Sequence, residues 1–376
     1  MTQRAIPAVF MRGGSSKGVF FHARDLPADR VDIDPILLAV LGSPDPYSRQ
    51  LDGMGGGLSS LSKAVIVGPS TRPDCDVDYT FAQVAVDKAI VDWKSNCGNL
   101  SGAIGAFAVD EGLVQVPDGE ALVRIHQVNT RKVIHARFPV ADGQAVVTGD
   151  YVMAGVAGTG ARVRLDFLDP GGAFTGVLFP TGKMIEQLDV PDVGSLTVSM
   201  VDAAHCTLFV DAADLGFSGT ETPDDIEANK DAMALLDLVR RHGAVAMGLA
   251  SDVQTVALAN PRIALVFSPQ DFKTLDGVTL PAAAYDIGIR ILSMERVHRA
   301  VPLTSALCLG VATRITGTVP NRLARNSFGD EIRVGHPSGA LSVGAEISNG
   351  GQSKLTSAVV FRTARRLMQG SVLIPQ

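Results

Sequence analysis

The stretch that most limits how this chain can fold is Asn96–Val109, NCGNLSGAIGAFAV. From Gly102 onward it has no polar face. A helix of that composition is buried on most sides, so other elements must be arranged around it. The pattern predicts a helix from Leu100 to about Gly112, with Cys97 at its entrance. First-turn amides of a helix have no intrahelical acceptor and carry partial positive charge. A thiol placed there is biased toward thiolate, and an anionic ligand finds donors ready. The stretch therefore predicts a confined site at the end of a buried helix.

The rest of the chain is long and apolar enough to enclose such a helix. It has 376 residues, 46% of them hydrophobic and 19% charged, enough for two domains. With 39 glycines and 20 prolines it reads as many turns and short strands, not a helical bundle. The net charge of −6 speaks against a nucleic-acid surface but not against a small basic pocket. Cys75, Cys97, Cys206 and Cys308 show no CxxC or metal-ligand spacing, so no metal site is expected. Met1–Arg30 lacks a long apolar run, and no run is long enough to span a bilayer. These features predict a soluble cytoplasmic protein with reduced thiols and no nucleic-acid or membrane partner.

Taken in order, strands are expected at Ala5–Met11 and Gly18–Phe21, split by RGGSSK, Arg12–Lys17. Two glycines, two hydroxyls and two cations in six residues suit an anion. They suit equally a hairpin turn with a solvated lysine. The loop lacks the length and the GK[ST] ending of a Walker sequence. A helix is expected at Val31–Leu41 and a glycine- and serine-rich loop before the strand Ala64–Val67. Lys63 stands at that strand's entrance. A lysine against an apolar wall is destabilised as a cation and can act as a base; otherwise it snorkels to water. Further strands are expected within Asp76–Val91 and at Val123–Val128, Val133–Pro139, Val146–Gly149 and Arg162–Leu168.

After Lys183 the pattern restarts. Strands are expected at Leu196–Val201, Thr207–Val210, Ile263–Phe267, Glu331–His336, Ala340–Ile347 and Ala358–Arg362. Pro223–His242 reads as one helix capped by Thr222 and closed before Gly243. Asp286–Ala300 reads as a helix. Pro302–Arg314 repeats the character of the Cys97 helix, with hydroxyls at its start. RTARR, Arg362–Arg366, reads first as ion pairing or packing between lobes and second as a carboxylate anchor. The two halves part near Pro180–Gln187, giving domains 1–182 and 183–376, with the last strand free to return to the first.

Five blocks in one order now carry a resemblance. MRGGSSKG (Met11–Gly18), GSPDPYSRQLDGMGG (Gly42–Gly56), SSLSK (Ser59–Lys63), NCGN (Asn96–Asn99) and GHPSG (Gly335–Gly339) together resemble the PrpF family, over about Ile6 to Pro375. The resemblance implies an α+β, diaminopimelate-epimerase-like fold. That means two pseudo-symmetric lobes, each a curled sheet around a central helix, with the active site between them. It implies cofactor-independent isomerisation of aconitate-type tricarboxylates, with no metal. The alternatives within the family are 2-methylaconitate, methylitaconate and aconitate isomerases and a 4-oxalomesaconate tautomerase. From another class, a non-catalytic accessory protein of an aconitase-like enzyme is the rival.

By the same resemblance Lys63 and Cys97 are the catalytic pair. The substrate carboxylates would be held by Arg12, Gly14, Ser15, Ser16, Lys17, Ser59, Ser60, Gly98, Asn99 and Leu100. Thr304, Ser305, His336, Ser338 and Gly339 would hold them from the other lobe. Diaminopimelate epimerase has a second cysteine at the entrance of its second central helix. Here that entrance offers Thr304 and Ser305, with Cys308 one turn inside, so a two-thiol racemase is disfavoured. His205 and His336 read as further acids or as structural hydrogen-bonding groups, and Cys75 and Cys206 as structural. A small tricarboxylate is the expected partner, and a homodimer is compatible with the sequence.

Overall fold

Runs of alternating apolar residues become strands, and the two small-residue segments become the helices they surround. The computed structural model describes residues 3–375 apart from 94, 95, 154, 259, 326–328, 330 and 349–353. Two compact units emerge, one ending at Leu168 and resuming at Phe361, the other Asp169–Val360. Among strands of five or more residues, the first unit begins with β1 (Gln3–Gly13), β2 (Ser16–His22), β3 (Lys63–Pro69) and β4 (Val77–Val84). It continues with β5 (Gly119–Gln127), β6 (Lys132–Ala141) and β7 (Val163–Leu168). Its helices are α1 (Arg30–Leu41) and α2 (Ser101–Asp110). The second unit holds β8 (Glu186–Val190), β9 (Gly194–Ala203), β10 (His205–Asp211), α3 (Pro223–Ala228), α4 (Lys230–Ala246), β11 (Arg262–Phe267) and β12 (Ile287–Ser293). It goes on through α5 (Leu303–Arg314), α6 (Val319–Leu323), β13 (Ile332–His336), β14 (Gly339–Ser348) and β15 (Lys354–Arg362), whose last two residues already belong to the first unit. The chain then returns to the first unit as β16 (Ala364–Pro375).

In the first unit the strand order is β16-β1-β2-β3-β4-β5-β6-β7, and only β2–β3 and β4–β5 are parallel. In the second the order is β8-β9-β10-β11-β12-β13-β14-β15, and only β10–β11 and β12–β13 are parallel. The two sequences of strand sense are identical. A parallel neighbour needs a crossover, and both units place their helices at the same two crossovers. α1 lies between β2 and β3 as α3 and α4 lie between β10 and β11. α2 lies between β4 and β5 as α5 lies between β12 and β13. The chain is thus an α+β protein built from one motif used twice.

Helix α2 touches β1, β16, β5, β6 and β7, strands from both ends of the order, so the sheet wraps around it. Every residue from Ser101 to Val109 is buried. Gly105 makes the close approach to β6: a Cβ there would stand 2.5 Å from Phe138. On the other face of the sheet Val19, Ala64, Ile66, Ala82 and Val84 pack under Ile33, Ile36, Leu37 and Val40 of α1. Alternation along a strand then turns Ser16, Gly18 and Phe20 of β2, Lys63 of β3, and Tyr79, Phe81 and Gln83 of β4 toward α2. Phe20 confirms the assignment, its ring 5.6 Å from that of Phe107 in α2.

Several boundaries differ from those expected. RGGSSK shrinks to a two-residue turn at Gly14–Ser15, because β1 and β2 pair as far as Gly13 and Ser16. Val146–Gly149 is not a strand. The helix over Pro223–His242 is two: Asn229 ends α3 and caps α4 by accepting from the Ala232 amide. α4 then runs through Gly243 to Ala246. Asp286–Ala300 is β12 and a short return strand. Met294 and Glu295 both have positive φ and turn the chain, and sheet pairing to β11 decides the outcome. Residues 169–182 belong with the second unit, not the first. Gly171 bridges Ala203, and the Asp202 carboxylate accepts the amides of Phe174 and Thr175. Among the described residues no helix is long and apolar enough to cross a membrane. Because the added methyl would meet the buried Phe138 ring and Ala136, Gly105→Ala is expected to cost a net ~1–2 kcal/mol despite alanine's better helix propensity; chemical denaturation measures it.

Candidate active site

The open end of α2 gathers the polar groups of the first unit. The Cys97 carbonyl accepts the Ser101 amide at 2.9 Å and the Ser101 hydroxyl at 3.0 Å, so Cys97 is fixed at the turn that starts the helix. Its Sγ lies 3.9 Å from Ser16 Oγ. Tyr79 is fully buried beside Cys97 and Ser101, and burial pushes its phenol well above the usual range. Two strand positions away on the same face, the Phe81 ring lies 5.0 Å from Lys63 Nζ. Two further on, Gln83 accepts from Lys63 Nζ at 2.6 Å. Gln83 is itself anchored, donating to the carbonyls of Ser62 at 2.8 Å and Ser59 at 3.0 Å. Lys63 and Cys97 are each 8% exposed.

The segment Ser16–Gly18 runs past the Cys97 side chain and the Lys63 backbone. Ser16 touches Cys97. A Cβ at Gly18 would stand 2.6 Å from the Lys63 carbonyl and 3.2 Å from Leu100 of the Cys97 turn. Only glycine lets β2 lie against both. Cys97 Sγ thus lies beside Ser16 and the Lys63 backbone beside Gly18, while Lys63 Nζ reaches Gln83 on the same face of the sheet.

The remaining expected residues divide. Ser15 accepts from Asn99 Nδ2 at 3.1 Å, tying the β1–β2 turn to the start of α2. Gly14 has φ +54°, and a Cβ there would meet Asn99 Oδ1 at 2.5 Å. The Ser60 carbonyl accepts the Lys17 amide. Arg12 and Lys17 are partners in register and lie on the face away from Cys97. Arg12 donates to the Gly14 and Thr363 carbonyls, and Lys17 Nζ stands over the Phe10 ring. Neither cation of RGGSSK therefore serves the thiol. The cation on the Cys97 side is Arg362, which donates to Asn99 Oδ1 at 3.0 Å. Sequence reasoning ranked it below packing; its isolation in the RTARR stretch, far along the chain from Asn99, hid it.

In the second unit Arg262 opens β11 as Lys63 opens β3. It donates to Ser305 Oγ at 2.6 Å and Thr304 Oγ1 at 3.1 Å, so those hydroxyls hold an arginine at the start of α5. Burial lowers the Arg262 pKa to about 10, which leaves it charged. His336 Nδ1 accepts the Ser338 amide, and Ser338 Oγ donates to the Arg299 carbonyl, so the turn before Gly339 satisfies itself. Burial, helped by Arg262, lowers His205 to about 4. Burial, helped by Arg290, does the same to His336. Neither histidine is charged near neutrality, which argues against an acid role as imidazolium. Burial keeps Cys206 and Cys308 protonated, Cys308 pushed up to about 12. Among the described residues no group of three or more His, Cys, Asp or Glu is placed to hold a metal ion.

The comparison with known proteins decides the lineage. The family model described as PrpF protein matches residues 3–375. The chain belongs to the PrpF family. It is 42% identical to a 2-methyl-aconitate isomerase of Shewanella oneidensis, covering 100% of this chain and 98% of the relative. It is 42% identical to a 3-methylitaconate isomerase of Eubacterium barkeri, covering 99% and 98%. It is 35% identical to a (4E)-oxalomesaconate Delta-isomerase of Novosphingobium, covering 98% and 97%. A crystal structure of methylitaconate-delta-isomerase superposes with a TM-score of 0.93 at 41% identity, covering 100% of this chain and 97% of that one. The relatives named here, in three genera of bacteria, are all isomerases.

The two neutral histidines carry a consequence for stability. Each has a folded pKa near 4 and an unfolded value near 6.5. Between those values only the unfolded chain takes up the proton, so stability falls as pH is lowered from about 6.5. Each contributes on the order of 3 kcal/mol across that window. Melting curves from pH 7 to 4 should show the loss, and His205→Gln should reduce it.

Proposed function

We propose that this protein isomerises aconitate-type unsaturated tricarboxylates by moving a proton, with Lys63 and Cys97 as the proton-transferring pair. The observation that carries the reading is that Lys63 and Cys97 lie on the α2 side of one sheet, with Cys97 Sγ beside Ser16 and the Lys63 backbone beside Gly18, two residues on. An allylic hydrogen beside carboxylates is weakly acidic. A base removes it, and the C–H electron pair spreads through the alkene into a carboxylate as an enolate. An acid then returns a proton. Return at the far allylic carbon migrates the double bond; return at the original carbon after rotation gives cis–trans isomerisation. Either course needs two groups that exchange a proton near neutral pH, plus donors for the developing oxyanion. The amides of Gly98, Asn99 and Leu100 precede the first intrahelical donor and suit that second role. Four cysteines, all free, support a cytoplasmic enzyme.

The similarity to 2-methyl-aconitate isomerases supports the substrate class. The test is incubation in deuterium oxide with 2-methylaconitate, cis- and trans-aconitate, methylitaconate and 4-oxalomesaconate, followed by NMR. Isomerisation with deuterium entering the carbon skeleton is expected for at least one of the first four. Turnover of 4-oxalomesaconate alone would move the protein to the tautomerase reading. No exchange with any acid would leave only a binding protein. Lys63→Met and Cys97→Ser should each lower kcat at least about a hundredfold, with melting temperatures close to that of the parent. Full activity in either variant removes that residue from the mechanism.

A further inference from the structure

Burying a guanidinium without a counter-ion is costly, so a protein that does it has a reason. Arg362 is 3% exposed. Its Nε donates to Asn99 Oδ1 and its Nη1 to the Phe361 carbonyl at 2.8 Å. Nη2 has no hydrogen-bond partner and no carboxylate pairs with the side chain, among the described residues. Arg240, also buried, is by contrast paired with Asp237 at 2.7 Å. Burial lowers Arg362 to about 10, so it stays a cation.

The sequence has made room for this side chain. A Cβ at Gly14 would stand 3.0 Å from Arg362 Cδ, and one at Gly102 would stand 3.0 Å from Arg362 Cβ. Two glycines, one from each of two blocks near α2, thus form its channel. Asn99 is held from its other end by Ser15, so its oxygen is turned to the guanidinium. Arg362 also lies near enough to Cys97 for their charges to interact. A buried cation with idle N–H groups stands beside the first-turn amides of α2, and among the described residues neither is given a protein anion. That is the donor set of a carboxylate receptor.

We propose that Arg362 binds one carboxylate of the substrate beside Cys97 and so helps set the preference for polycarboxylates. The assignment rests on the isomerase reading above and names the ligand group that its thiol side receives. As the proton leaves, charge grows on a carboxylate, and a fixed guanidinium there is worth more in the transition state than in the ground state.

The test uses tricarballylate, a saturated tricarboxylate that cannot isomerise, with the full-length protein in titration calorimetry. Arg362→Gln should weaken binding about thirtyfold or more. Arg362→Lys keeps the charge but loses the planar fork, and should fall between. Should the glutamine variant fail to fold, the lysine variant decides: wild-type affinity in a folded Arg362→Lys protein overturns the proposal. Wild-type affinity in a folded Arg362→Gln protein does the same. Arg362-dependent binding without substrate hydrogen exchange would sink the isomerase reading and leave the receptor. Exchange with Arg362-independent binding would do the reverse.

Discussion

The polar end of a fully buried helix is the constraint on which the first unit depends. α2 has no surface on which to put a polar side chain, and its first amides cannot be satisfied within the helix. The sheet must close around its flanks, and whatever chemistry the unit has must collect at its start. Ser16, Cys97, Asn99 and Arg362 do so from three separate stretches of chain. The glycines at 14, 18, 102 and 105 are the concessions in backbone bulk that allow it.

The repeated strand order shows what the same scaffold does with different side chains. Lys63 and Arg262 open equivalent strands, each followed by apolar residues and each reaching polar neighbours. A lysine shifts its ionisation readily and can trade a proton, whereas an arginine remains a fixed charge. The first unit sets its lysine against Gln83 and an aromatic ring. The second ties its arginine to two hydroxyls, near a histidine that stays neutral. One motif therefore carries a lysine at one strand entrance and a permanent charge at the other.

Much of this could be read in the residues. GAIGAFAV announced a buried helix, and the clustering of glycine and serine before Lys63 announced a strand entrance. The misread segments share a cause. In Asp286–Ala300 the isoleucines at 287, 289 and 291 alternate as a strand, and the pairing to β11 settles it. At Asn229 a residue that favours caps sits inside a helical pattern, and its local hydrogen bond wins. Arg12 and Lys17 looked like the site's cations because they sit among glycines. A strict two-residue turn fixed their parity and sent both to the other face. Arg362 could not be ranked from sequence, because its value comes from contacts with Asn99 and Cys97 that no local pattern encodes.

The pairing of β1 with β16 sets Gln3 opposite Pro375. A ribosome making this chain delivers the inner strands of the first unit early and its outer strand last. During synthesis of the whole intervening unit, β1 has an open edge, a liability that invites mispairing. The guanidinium of Arg362 arrives with that final segment. The nascent chain can therefore assemble its second unit before the first is whole, and the thiol gains its neighbouring charge only after the second unit has been made.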